Sequence, residues 1–162
     1  MLQRNISNLL NTLPQIGKVT WIGLRPERRA PMEVVEHVET CPQKGLIGDR
    51  YSSRAGKRHV TLVQQEHLAV IASLLGIHEC KPESLRRNIV VKEMNLLALK
   101  DKHFKIGQTI LEFTGLCHPC SFMEEIFGTG GYNAIRGHGG ITAKVIQGGN
   151  IQMSDPVSIY ND

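Results

Sequence analysis

Strand-length apolar runs recur along this chain with glycines between them, and no long helical repeat competes with them. The runs GKVTWIGLR (17–25), MEVVEHVET (32–40), HVTLVQ (59–64) and NIVV (88–91) are rich in β-branched residues and read as strands. FKIGQTILEFTG (104–115) reads as a hairpin broken at Gly107, and ITAKVIQGGNIQMSDPVSIY (141–160) as two strands joined at GGN. Helical spacing is confined to short stretches. Leu68, Ile71, Ala72 and Leu75 share a face within 65–76, which Gly76 stops. Pro82 opens a single turn over 82–85. Leu2, Ile6, Leu9, Leu10 and Leu13 line one face ahead of Pro14, which predicts an N-terminal helical arm over 1–16, packed on one domain over 17–162. Many short strands, few helices and 16 glycines imply a mainly β, barrel-like fold with short helices covering its openings.

A chain of 162 residues, 41% of them apolar, suits one domain with its own core. It has no apolar run long enough to span a membrane and no signal-peptide pattern at its start, so no membrane is expected. Four cysteines (Cys41, Cys80, Cys117, Cys120) are too few for a disulfide scaffold, which makes a cytoplasmic setting with reduced thiols the expectation. The net charge of +4 suits a solvated surface, a nucleic-acid surface or a pocket for an anionic small molecule. Aromatic residues make up only 5% of the chain, and no stacking run is present, which counts against nucleic acid.

GLCHPC (115–120) places two thiols two residues apart. The spacing fits a dithiol redox pair, half of a zinc site, or one reactive thiolate with a bystander. A thioredoxin-like site wants a βαβ setting, and a zinc site wants a second ligand pair. Cys41 and Cys80 stand alone, so neither partner pattern is present. SFMEEIFG (121–128) has Ser121 and Glu124 at capping-box spacing, which predicts Ser121 as the N-cap and Cys120 just before the helix. Free amide N–H groups at that end favour the thiolate form, and so favour Cys120 over Cys117. An inert loop pair and a reactive thiolate both remain open on this chemistry.

Two basic stretches bear on that choice. GLIGDRYSSRAGKRHVTLV (45–63) carries Asp49, Arg50, Arg54, Lys57 and Arg58 around a glycine-rich turn, in a long segment with little periodicity. SLRRNIVV (84–91) sets Arg86, Arg87 and Asn88 at the mouth of a buried strand. Such charges are either solvated strand ends or guanidinium donors converging on a phosphate. RGHGGITAKV (136–145) adds glycines that either form turns or allow close backbone approach to a ligand.

In order, GLIGDR, KRHVTLV, LRRNIVV, FKIG, LEFTGLCHPC and GHGGITAKVIQGGNIQMSDPV resemble the MOSC domain family, named for the C-terminal domain of molybdenum cofactor sulfurases, over roughly residues 17–160. The resemblance implies a β-barrel with a few helices and a pocket for the molybdenum cofactor, a pterin bearing a phosphate and a dithiolene-bound metal. It implies Cys120 as the metal ligand or persulfide carrier, at the position of the thiolate that ligates molybdenum in amidoxime-reducing relatives. It also implies Asp49, Lys57, Arg58, Arg86 and Asn88 as cofactor-binding residues. The resemblance covers neither the extra N-terminal β domain of the amidoxime-reducing enzymes nor the pyridoxal-phosphate desulfurase of the sulfurases.

Three functions follow. The first is cofactor binding or sulfur carriage through Cys120, with a cysteine desulfurase as the partner for sulfur. The second is reduction of N-hydroxylated compounds, fed by an electron-transfer reductase partner. The third, from another class, is a basic β-barrel that binds nucleic acid.

Overall fold

The computed structural model describes residues 5–51 and 56–161. Leu2 and Arg54 lie outside the described residues. Eleven strands are present among those described. Seven of them close a barrel: β1 (Gly17–Leu24), β5 (Val60–Gln64), β6 (Ile89–Lys92), β7 (His103–Ile106), β8 (Thr109–Leu116), β9 (Ile141–Gln147) and β11 (Pro156–Tyr160). Their order around the wall is β11-β7-β8-β9-β5-β6-β1, and pairing of Gly17 with Val157 closes the circle. β2 (Glu33–Val34) extends β1, and β3 (His37–Cys41), β4 (Gly45–Leu46) and β10 (Gly149–Gln152) form a small second sheet.

The barrel interior holds Ile22, Val60, Leu62, Ile89, Val91, Phe104, Ile106, Leu111, Ala143 and Val145, all fully enclosed. Burying each large side chain of this kind stabilises the fold by about 1.5–3 kcal/mol. β5 and β6 run parallel, joined through α2 (Gln65–Leu75) and α3 (Pro82–Leu85). These helices cover the outer face of the pair, where Val63 and Val90 pack on Ile71, Leu85, Met123 and Ile135. Covered on both faces, the two strands are predominantly apolar.

Several expectations are corrected. Residues 32–40 form two short strands, not one, with a break at Val35 and Glu36. Residues 141–160 form three: after Gly148 the chain leaves the barrel to pair β10 with β3 and then returns as β11. A 3-10 turn (Leu96–Leu99) and a short helix, α5 (Gly131–Ile135), were not expected from the sequence. The N-terminal helix, α1 (Ile6–Leu10), leaves Ile6, Leu9 and Leu10 exposed instead of packing them on the barrel. Among the described residues of that face, Leu13, past the helix, is the one that reaches the core.

The helix after the cysteines, α4 (Ser121–Phe127), is capped by Cys120 itself, not by Ser121. No capping box forms, because the Glu124 carboxylate turns forward. It accepts the backbone N–H groups of Gly130 (2.6 Å) and Tyr132 (2.8 Å), at the start of α5. The N-cap of α5 is glycine and has no side chain to serve those donors.

A candidate site for an anionic ligand beside Cys120

Strand register brings the site together. Thr61 of β5 pairs with Thr142 of β9, which pairs with Gly115 of β8. The Asn88 backbone N–H donates to the Thr61 carbonyl from the other side. Arg58, the Arg86–Arg87 pair and the 117–120 loop are thereby held close, although they are far apart in sequence. The 26–31 loop that follows β1 completes the wall.

The cleft they line is partly open to solvent and measures about 320 Å³. Seven arginines line it: Arg25, Arg28, Arg29, Arg50, Arg58, Arg86 and Arg87. His118, Cys120 and Phe122 are also among its lining residues. Among the described residues, two of these arginines have carboxylate partners. Arg25 pairs with Asp49 at 2.9 Å, and Arg29 meets Glu125 at 3.5 Å at the surface. Arg28, Arg50, Arg58, Arg86 and Arg87 have none. Like charges gathered in one concave site repel each other, and a bound anion relieves that repulsion.

Asp49 and Asn88 serve this wall from behind. The Asn88 amide oxygen accepts from the Thr61 backbone N–H and hydroxyl, both at 3.1 Å. Its amide nitrogen donates to the Gly23 carbonyl (3.0 Å) and to Asp49 (3.1 Å). Asp49 also accepts from the Arg25 backbone N–H, from two guanidinium nitrogens of Arg25 and from the Tyr51 backbone N–H. Both side chains are buried, neither lines the cavity, and their polar atoms are engaged within the protein. Their effect is to fix Arg25 and the entry of β6.

Arg86 caps α3 in the left-handed region, with φ 57°. Its guanidinium donates to the carbonyls of Ala30 (2.6 Å) and Glu27 (3.3 Å), so it anchors the loop that carries Arg28 and Arg29. Partial burial lowers its pKa, and the neighbouring Arg25 and Arg50 lower it further. The Arg29 guanidinium lies 4.4 Å from the centre of the Phe122 ring on α4.

The two thiols of GLCHPC are unequal. Cys120 is exposed and lines the arginine-rich cavity, whereas Cys117 is buried. The Arg58 guanidinium lies 3.9 Å from the Cys117 sulfur. Cys120 also borders a second cavity of about 410 Å³, where Lys57, Arg58, Thr114 and Thr142 meet. Lys57 lines this second space, not the first, and its backbone carbonyl accepts the Thr114 hydroxyl.

Thus Cys120, Arg58 and Arg86 share one cavity, Lys57 borders the neighbouring one, and Asp49 and Asn88 stand behind the wall. Sequence reasoning placed Arg50 and Arg87 in the two basic stretches without naming them as cofactor-binding residues, and it did not single out Arg25, Arg28 or Arg29. The cluster of three arginines in LRPERRAP (24–31) was the available signal, but it read as an ordinary loop.

The chain is thus a closed seven-stranded β-barrel domain with an arginine-lined cleft and one exposed thiol in its wall. The MOSC domain model matches residues 42–158, and the chain belongs to the MOSC domain family. The YuaD protein of Bacillus subtilis has a similar structure, with a TM-score of 0.79 at 17% identity, over 93% of this chain and 100% of that one. YiiM of Geobacillus stearothermophilus aligns with a TM-score of 0.70 at 14% identity, over 90% of this chain and 75% of that one. YiiM of Escherichia coli gives 0.69 at 14% identity, over 90% and 70%. At these identities the likeness is one of fold. No curated protein matches the chain in sequence.

Proposed function

We propose that this domain binds a phosphate-bearing molybdenum cofactor in the arginine-lined cavity, with the Cys120 thiolate as its protein ligand. The observation that carries the reading is one concave site lined by seven arginines and one exposed thiol. A single carried sulfur atom would not need seven cations. A phosphate is well matched to them, because guanidinium donors bind it through paired, charge-assisted hydrogen bonds.

The donor set fits the group. No cluster of three or more His, Cys, Asp or Glu side chains able to hold a metal occurs among the described residues. One soft thiol suits a metal that arrives already chelated by a pterin dithiolene. Arg58, Arg86 and Arg87 would face the phosphate and the polar rim, and Arg25 would be held ready by Asp49. When bound, the group supplies two-electron redox chemistry at molybdenum. The chain's own residues position it, neutralise its charge and leave Cys120 open to the second cavity. A substrate in that cavity, such as an N-hydroxylated compound, would meet the site from the Lys57 and Thr114 side. Electrons would then come from a reductase partner.

The cleft is of small-molecule size. Its arginines line one concave site with Cys120 and not an extended surface, which favours a small anion over a nucleic-acid backbone.

Metal analysis of protein purified from a molybdenum-replete host tests the proposal. Molybdenum at about one per chain is expected. Background metal, with a mass gain of one sulfur after incubation with a cysteine desulfurase and cysteine, would replace cofactor binding with persulfide carriage on Cys120.

A further inference from the structure

Arg87 is the one cavity arginine that is almost fully enclosed, at 7% exposure. Its guanidinium reaches three separate segments. Nε donates to the Gly139 carbonyl at 2.7 Å, Nη1 to the Leu85 carbonyl at 2.8 Å, and Nη2 to the Cys117 carbonyl at 3.4 Å. One cation thus ties α3, the thiol loop and the turn before β9 together.

Nothing in that turn can easily give way. A Cβ at Gly139 would collide with the Cys117 carbonyl and crowd Nη2 of Arg87, and one at Gly140 would collide with the Leu62 carbonyl. The Gly140 carbonyl in turn accepts the Cys117 backbone N–H at 2.9 Å.

All three acceptors are neutral, and no carboxylate pairs with Arg87 among the described residues. Of its five N–H donors, three are engaged there, while the residue still lines the cavity. Burial lowers its pKa, while Cys117 and Cys120 act in the opposite direction. A buried cation without a counter-ion is costly. A protein normally avoids that arrangement unless the counter-ion arrives from outside.

We infer that Arg87 is a positioning residue that locks the thiol loop, and that its buried charge couples the stability of the fold to an oxyanion in the cavity. The inference rests on the reading of this cavity as an anionic-cofactor site, and it adds that occupancy is felt by the whole fold through this one side chain.

The test is thermal unfolding of the full chain in inorganic pyrophosphate, against sodium chloride at matched ionic strength. In the parent, a hundredfold excess over Kd is expected to raise Tm by about 5–10 °C. Arg87→Gln keeps donors for the carbonyls but removes the charge, and should lose most of that rise. Arg87→Lys keeps the charge and should retain part of it. A purely structural arginine would lower Tm when replaced, yet leave the pyrophosphate increment unchanged. An equal increment in Arg87→Gln and the parent therefore overturns the inference and leaves the cavity reading standing. No increment in any of the three proteins overturns both. Should Arg87→Gln not fold, Arg87→Lys decides: an increment smaller than the parent's supports the coupling, and one equal to the parent's overturns it.

Discussion

Two cavities in this molecule each carry a cysteine, and their walls differ. Cys80 borders a space of about 430 Å³ between α2 and the barrel, lined largely by Trp21, Leu68, Ala72, Pro82 and Val90. There burial, helped by the neighbouring Glu79, pushes the thiol pKa up to about 11. Cys120 borders a space of similar size, but it is exposed and its neighbours are guanidinium groups. The lesson is that the residue type says little about reactivity. The wall around it decides, because a thiolate is penalised by apolar surroundings and stabilised by cations.

The largest expected effect breaks the comparison at the thiols. Cys120→Ser should bring molybdenum content down to background, because a hydroxyl is a poor ligand for a soft metal. Cys117→Ser should keep most of the metal, and Cys80→Ser all of it. Equal loss from Cys117→Ser and Cys120→Ser would restore a dithiol pair.

A smaller but still large contrast concerns labelling. With its pKa near 11, Cys80 is thiolate in only about one molecule in a thousand at pH 8. Iodoacetamide at that pH should modify Cys120 at least about a hundredfold faster than Cys80, as read by peptide mass spectrometry. Comparable rates would show that the two walls do not differ in the way argued here. The same raised pKa carries a stability consequence. The folded chain holds the Cys80 proton that the unfolded chain gives up near pH 9.0, so stability should fall between pH 9 and about 11.

Next come the arginines. Arg58 is exposed and makes no carbonyl anchor in the wall, so Arg58→Ala should weaken pyrophosphate binding roughly tenfold, with little change in Tm without the anion. Arg86→Ala should weaken binding similarly and also loosen the 26–31 loop, whose carbonyls it holds. Calorimetric titration separates the two. Unchanged affinity in both would make these arginines solvated strand ends.

The smallest effect is at Glu124, on the helix that Cys120 caps. Backbone N–H groups of Tyr132 and Gly130 hold its carboxyl below the ordinary value of 4.5. A lowered pKa gives stability that is present above pH 4.5 and is lost as pH falls through the folded value. Glu124→Gln should therefore flatten the acid limb of the Tm-versus-pH curve slightly, and leave pyrophosphate affinity at pH 7 unchanged.

The site was legible in part. Cys120 and the basic mouths at Arg58 and Arg86 stand out because charge at a strand entrance and a thiol before a helix are local patterns. Asn88 and Asp49 were also marked. Their polar atoms, however, are spent on Thr61, Gly23, Arg25 and Tyr51, and only the packed barrel reveals that. The capping box at Ser121 and Glu124 was misread because the pattern does not state which orphan N–H groups a carboxylate will serve. Here the next helix supplied a better pair.

By itself the sequence determined β1, β5 and β6, the hairpin at Gly107 and the helix stopped at Gly76, since alternation, glycine and helical spacing act over a few residues. Only the tertiary structure decided that β11 closes on β1, that β5 and β6 lie parallel, and that the arginines of LRPERRAP face Arg58, Arg87 and Cys120 across one cavity. Those contacts join segments far apart in the chain, and no local pattern encodes them. They follow from closing the barrel wall, which buries the apolar interior and leaves these guanidinium groups around one space.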